Sequence, residues 1–182
     1  VTIVGITHDI IDQLEDRDRF YQLLEKADIP HIPGEIADNA KELVDKAKAI
    51  GYPVLIRPSY VIGGKGMIVI KDEDELLSFV KDIADETYPL LIDAYVPGLE
   101  IEIDLLSDGK DILIPTIVEH IEKAGVHSGD SHAIMPAVSL TEDKKKKVES
   151  YAAKIVRELD FKGIMNIQFV ISDNQIYVLE VN

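Results

Sequence analysis

The sequence predicts an α+β chain of two lobes, built on antiparallel sheets with helices on one side. Three observations carry that expectation. Apolar residues recur at helical spacing in four separate stretches. Glu100-Ile101-Glu102-Ile103-Asp104-Leu105 alternates strictly, which gives a strand one carboxylate face and one apolar face. The element order, βαα, then β-loop-βαβ, then ββ, a long loop and αββ, repeatedly sets strand next to strand.

Val1–Ile6 reads as a strand. Residues 10–27 carry one helical pattern, with Ile10, Ile11, Leu14, Phe20, Leu23, Leu24 and Ala27 on its face, and the pattern stops before Ile29-Pro30. His31-Ile32-Pro33-Gly34 reads as a loop. A helix runs from Asn39 to Ile50, with Gly51 as its stop and a Glu42–Lys46 pair on its wet side. Pro53–Arg57 is a short strand, residues 59–66 are a glycine-rich loop, and Met67–Ile70 is the next strand. Asp72 and Glu75 resemble a capping box before a helix that buries Leu76, Leu77, Val80 and Ile83. Leu90–Ile92 is a strand leading into Asp93–Gly98. Ser107-Asp108-Gly109 turns the alternating strand back into Ile112–His120. Thr141 caps a helix that places Val148, Ala152, Ile155, Val156 and Leu159 inside; Lys144–Lys147 is its solvated face.

The last two strands, Asn166–Ile171 and Ile176–Asn182, form a hairpin. Setting Ile167, Phe169 and Ile171 against Tyr177, Leu179 and Val181 calls for an odd-length loop such as Asp173-Asn174-Gln175. Gln168 then lies opposite Glu180, and Asn166 opposite Asn182. Oxygen ligands of this kind suit a hard cation, Mg²⁺ or Mn²⁺. A plain solvent-facing polar side gives the same alternation.

Composition narrows the class. The chain has 182 residues, 46% of them hydrophobic, and a formal net charge of −15. That length supports a real core, and the acidity argues against nucleic acid polymers and anionic membranes as partners. There is no cysteine, so disulfides, thiolate metal sites and a Cys nucleophile are excluded. No apolar run reaches membrane-spanning length and no signal sequence opens the chain, so it reads as soluble and cytoplasmic. Both ends fall within strands and read as cuts in a longer protein.

Gly63, Gly64 and Gly66 let backbone N–H groups approach a phosphate, Lys65 adds a charge, and Arg57 adds a planar fork of donors. The loop lies between two strands, so it matches neither a P-loop nor a dinucleotide fingerprint. It suits a flap over nucleotide phosphates, and equally a mobile hairpin. Arg57 and Lys65 are the candidate catalytic residues. His120, His127 and His132 do not have zinc spacing, and Ser128 has no nucleophile elbow around it.

These stretches together resemble the ATP-grasp family, and within it the carbamoyl-phosphate synthetase large subunits. The resemblance runs through Glu15–Phe20, Gly51–Pro53 with Arg57–Gly64, Glu119–Ser131, Met165–Phe169 and Leu179–Asn182. The run Glu119-His120-Ile121-Glu122-Lys123-Ala124-Gly125-Val126-His127-Ser128-Gly129-Asp130-Ser131 is the most specific. The Glu-His-Ile-Glu, Val-His-Ser and Met-Asn-x-Gln-Phe versions are similar to the carbamate-phosphorylating half of such enzymes.

The resemblance implies an ATP-grasp fold, two α+β lobes with antiparallel sheets clasping ATP. It divides the chain into a lead-in at 1–52, a glycine-loop lobe at 53–96 and a metal-binding lobe at 97–182. It implies that Arg57 and Arg17 serve the ATP phosphates, with Gly63 and Gly64 in a lid. Asp93 to Val96 pass the adenine, Glu100 takes the ribose hydroxyls, and Gly125, Val126, His127 and Ser128 line the nucleotide. Gln168, Glu180 and Asn182 hold Mg²⁺ or Mn²⁺. The implied substrates are ATP and carbamate or bicarbonate, and the implied partner is a glutaminase small subunit. Ala94 departs from the larger polar residue found in relatives, and Pro97-Gly98 is one residue shorter than in some. Another ATP-grasp ligase, biotin-carboxylase-like, or a non-catalytic nucleotide-binding module is the alternative reading.

Overall fold

Capping chemistry sets where the helices begin. A computed structural model of the chain describes residues 6–58, 67–84, 87–122, 124 and 131–182. In chain order the elements are α1 (His8–Glu15), α2 (Arg17–Lys26), β1 (Gly34–Ala37), α3 (Ala40–Ile50), β2 (Val54–Pro58), β3 (Ile68–Ile70), α4 (Glu73–Asp82), β4 (Leu90–Ala94), β5 (Leu99–Ser107), β6 (Ile112–Leu113), β7 (Ile117–His120), β8 (Ala133–Ile134), α5 (Glu142–Glu158), β9 (Gly163–Ser172) and β10 (Gln175–Val181). Thr7, Asp16, Asn39, Asp72 and Thr141 each precede a helix with extended backbone. Each side chain accepts from the N–H three residues on.

The single helix expected over residues 10–27 is two. Asp16 leaves the helical region and caps α2, while the Arg19 side chain pairs back to Asp9 and Asp12 on α1. The capping box at Asp72 is offset: Glu75 accepts from the N–H of Lys71, one residue before the cap. Leu77 is exposed rather than inside, because Leu76 takes the inward position of α4. The expected loop at 31–34 ends in β1, and the expected strand 112–120 is interrupted by Pro115, which has no N–H to donate. The strand expected over residues 1–5 lies outside the described residues.

Two compact units result. The first comprises the described residues of Ile32–Val96. Its four-stranded antiparallel sheet has the order β1-β4-β2-β3. Leu43 and Ala47 of α3 and Leu76 of α4 share one buried cluster with Val54, Ile56, Ile70, Leu90 and Ile92. Gly51 ends α3 at φ 90°, a conformation that glycine adopts without strain.

The second unit comprises the remaining described residues from Ile6 to His31 and from Pro97 onward. Its sheet has the order β10-β9-β5-β7-β8, with β6 also paired to β5. Val148, Tyr151, Ala152, Ile155 and Val156 recur at helical spacing along α5 and pack with Ile101, Ile103, Leu105, Met165, Ile167 and Phe169. Phe20, Leu23 and Leu24 of α2 join the same core.

The hairpin of β9 and β10 reaches the expected pairing by a different route. Asp173 and Asn174 both have positive φ, 46° and 70°, and make a two-residue turn between Ser172 and Gln175. Ile176 and Val178 therefore face the core, not Tyr177 and Leu179. A bulge between Val178 and Glu180 then shifts the register by one residue. Beyond it Val181 faces the core and Glu180 stands opposite Gln168. Asn166 and Asn182 exchange both backbone hydrogen bonds, at 2.8 and 2.9 Å.

Gly98 sits where β5 begins beside the end of β9. A Cβ there would lie 2.4 Å from the Ile171 carbonyl oxygen and 2.8 Å from Val170 Cγ2. Gly98→Ala is expected to lower unfolding stability by about 1–3 kcal/mol in urea titrations, as overpacking against backbone does. An unchanged midpoint would contradict this close approach.

Candidate functional site

Strand register in the larger sheet builds two polar rows. Glu102 on β5 pairs with Gln168 on β9, which pairs with Glu180 on β10. Asp104 pairs with Asn166, which pairs with Asn182. Even-numbered positions of β5 face away from the core made by Ile101, Ile103 and Leu105, so these six side chains share the other face. Two hydrogen bonds tie the set together. Asn166 Nδ2 donates to Asp104 Oδ1 at 2.9 Å, and Asn182 Nδ2 donates to Glu180 Oε1 at 3.1 Å.

The chemistry of this set fits a hard cation. Glu180, Gln168 and Asn182 offer only oxygen donors, and Glu180 is half-buried. Among the described residues no Lys, Arg or His pairs with Glu180. No group of three His, Asp and Glu suited to a metal occurs among the described residues either, so amide oxygens have to complete any such site.

Glu100 lies two residues from Glu102 on β5, on the same face, opposite Val170. His120, at the end of β7, is 4% exposed. Its Nδ1 lies 3.6 Å from Glu100 Oε2 and its Nε2 lies 3.7 Å from Glu102 Oε1. Neither His120 nor Glu102 is among the expected site residues, although a carboxylate face along residues 100–104 is expected. The turn back from that strand into residues 112–120 is expected too; the register that brings His120 to Glu100 is not, because it depends on the break at Pro115.

The two acids of the Glu119–Glu122 motif are structural clasps. Glu119 is buried on the opposite face and accepts from Val138 N, Ser139 N and Ser139 Oγ at 2.9, 2.8 and 2.5 Å. Burial acts to raise its pKa, but the bonds from Ser139 and Val138 prevail and hold it below the ordinary value. Glu122 accepts from Ser131 Oγ and His132 N and meets His132 Nδ1, at 2.7, 2.6 and 2.7 Å. With Ile121 N donating to His132 O, this joins the end of β7 to the start of β8.

Arg57 belongs to the smaller unit. It follows Ile56 on β2, and its Nε lies 3.6 Å from Oδ2 of Asp93 on β4. Asp93 is 5% exposed, so it sets a buried negative charge beside the guanidinium. The N–H groups of Ala94 and Tyr95 donate to Pro33 O and Pro53 O, at 2.9 and 3.0 Å, and steer the chain toward Val96. Arg17, the first residue of α2, lies 4.7 Å above the Tyr21 ring, which stacks on His31 at 4.0 Å. Gly63, Gly64, Lys65, Gly125, Val126, His127 and Ser128 lie outside the described residues.

Comparison with known proteins agrees on the class. The 2-oxoglutarate carboxylase biotin carboxylase domain of Hydrogenobacter thermophilus, solved with MgADP, ADP and bicarbonate, is similar at a TM-score of 0.82. The identity is 23%, over 100% of this chain and 42% of that one. The fold is the α+β ATP-grasp fold.

The sequence relatives are nearer. The arginine-specific large chain of carbamoyl phosphate synthase from Geobacillus stearothermophilus is 59% identical over 182 residues, and that from Bacillus subtilis (strain 168) is 54% identical. Each match covers 100% of this chain but only 17% and 18% of the relative. The family model for the carbamoyl-phosphate synthase L chain, ATP binding domain, matches residues 16–182, and the chain belongs to that family. Among the described residues no helix is long and apolar enough to cross a membrane.

The Glu122–His132 clasp titrates in a defined direction. The His132 bond, then the Ser131 hydroxyl, holds Glu122 down to about 2, and the same Glu122 bond raises His132. The Glu122 contribution to stability is present above its ordinary 4.5 and is lost as pH falls toward about 2. The His132 contribution is present below its ordinary 6.5 and is lost as pH rises through its raised value. In Glu122→Gln, an NMR titration is expected to show the His132 pKa falling toward its ordinary value. An unmoved His132 curve would contradict the clasp.

Proposed function

We propose that this chain is a MgATP-binding part of a carbamoyl-phosphate synthetase large subunit, serving the ATP-dependent ligase step that phosphorylates carbamate. The observation that carries this reading is the placement of Glu180 against Gln168 with Asn182 bonded to Glu180. It comes from a sheet whose register puts oxygen donors side by side. The family match over residues 16–182 supports the same reading.

The roles are those that the family resemblance assigns. Gln168, Glu180 and Asn182 would hold Mg²⁺ or Mn²⁺. Such an ion neutralises charge on the phosphate oxygens when bound. Arg57, steadied by Asp93, donates to phosphate oxygens where negative charge accumulates, and Lys65 adds a second cation. Arg17 is a further phosphate ligand. Gly63 and Gly64 cover the phosphates, Asp93 to Val96 pass the adenine, Glu100 accepts from the ribose hydroxyls, and Gly125, Val126, His127 and Ser128 line the nucleotide.

In the reaction a carbamate oxygen attacks the γ-phosphorus in line. A new O–P bond forms as the bond to the ADP oxygen breaks, giving carbamoyl phosphate and ADP. The chain's contribution is positioning and electrostatics, with no protein nucleophile. Bicarbonate is the acceptor if the chain instead serves the first phosphorylation. A glutaminase small subunit supplies ammonia to the whole enzyme, as a cytoplasmic activity feeding arginine or pyrimidine synthesis.

Calorimetry with MgATP tests the reading on the chain itself. Saturable binding is expected, and Glu180→Gln is expected to weaken it roughly ten- to hundredfold, the scale of one lost charged ligand. A folded wild type with no heat at millimolar MgATP, or a Glu180→Gln variant of unchanged affinity, would overturn it.

A further inference from the structure

We infer that the row Leu113, Leu106 and Ile164 is a docking surface for polypeptide of the same large chain that lies outside these 182 residues. This rests on the reading given above, that the chain is part of a large subunit. The outer face of the larger sheet changes chemistry along its length. It carries Glu102, Gln168 and Glu180 in one row and Asp104, Asn166 and Asn182 in the next. Two residues further along the strands, Leu106 on β5 pairs with Ile164 on β9, and Leu106 also pairs with Leu113 on β6. Side chains alternate along a strand, so Leu106 and Ile164 take the same outer side as Asp104 and Asn166, and Leu113 joins them as the direct partner of Leu106.

The three stand open to solvent: Leu106 is 50% exposed, Leu113 59% and Ile164 77%. Pairing pins them there, because their neighbours Leu105 and Met165 are buried in the core at 2% and 0%. Polar side chains fill the two preceding rows of this face, and polar side chains at these three positions would leave the core untouched. Instead, branched aliphatics sit side by side across three neighbouring strands. Such a row holds apolar surface in water, a cost that contact with a partner removes.

Size and charge select the partner. Three side chains at this exposure offer of the order of a few hundred Å². A lasting complex of separate chains buries about 800 Å² on each side. The row is too small to hold a second copy or a free protein by itself, and two copies of net charge −15 also repel. A segment of the same polypeptide needs far less area, because its tether supplies a high effective concentration. This chain matches only 17% and 18% of the length of its large-chain relatives, so most of such a chain lies elsewhere. The occupant is therefore an apolar segment of the large chain, seated one row from Asp104, Asn166 and Asn182 and two rows from Glu180 and Gln168.

Thiol labelling of Ile164→Cys tests the row in the full-length large chain. A soluble maleimide would be applied to the native full-length protein, to the same protein unfolded in urea, and to the 182-residue chain alone, with the labelled peptide followed by mass spectrometry. Thermal melts would confirm that the native samples are folded. Docking is expected to slow the native full-length rate about tenfold or more below the unfolded rate, as for a position reached only through local opening. The chain alone is expected to label at nearly the unfolded rate, at low and at high protein concentration.

A native full-length rate equal to the unfolded rate would overturn the inference. A rate in the chain alone that falls as its concentration rises would assign the row to a second copy and overturn it. Protection in the chain alone at every concentration would assign the cover to these 182 residues themselves, and protection of the large chain only after a small subunit is added would assign it to a separate partner; either would overturn it. All four leave the nucleotide-binding reading standing, which calorimetry with MgATP measures separately. If Ile164→Cys does not fold, Leu113→Cys on the far side of Leu106 decides by the same comparison.

Discussion

One extra residue in β10 decides which side chains of the last strand see the core and which see the polar face. Up to Val178 the strand alternates in one phase, with Ile176 and Val178 inward. The bulge at Leu179 adds a residue without a partner, and from Glu180 onward the phase is reversed. Val181 can then fill the core while Glu180 and Asn182 join Gln168 and Asn166 on the other side. Had the strand kept its first phase past Val178, Glu180 would have pointed into the apolar cluster around Phe169, at the cost of an unpaired buried charge.

The carboxylate face is affordable only because it is partnered. Asp104 receives Asn166, Glu180 receives Asn182, and Glu100 and Glu102 flank His120. In the smaller unit Asp93 is matched by Arg57. A chain of net charge −15 can thus present acids in a row and still fold. The same acidity is compatible with an anionic nucleotide when a divalent cation accompanies it.

Much of this was legible in the sequence where a local signal existed. Asn39, Asp72 and Thr141 announced their helices because a cap is a short-range interaction, and the inward face of α5 followed from spacing alone. The pairing of Gln168 with Glu180 was also foreseen, yet on a false premise: an odd-length loop in place of a two-residue turn plus a bulge. Asp173-Asn174 carried the turn signal, but the phase reversal came from packing of Val178 and Val181 against the core, which no window of sequence displays. His120 follows a similar rule. The turn at residues 107–109 already sets its strand beside β5, but the register that brings it to Glu100 depends on the break at Pro115, which periodicity does not place. The split of α1 from α2 at Asp16 was missed because the apolar pattern runs through the joint while the capping bond does not depend on it.

The bulge is the claim on which the rest stands, and a pair of charge substitutions on either side of it tests it most directly. Val178→Asp and Val181→Asp would be compared by urea unfolding of the chain. The bulged register puts both side chains in the core, although they are three residues apart on one strand. Each should therefore cost upwards of about 3 kcal/mol. A Val181→Asp that costs no more than about 1 kcal/mol beside a damaging Val178→Asp would show a strand that keeps a single phase and would contradict the account.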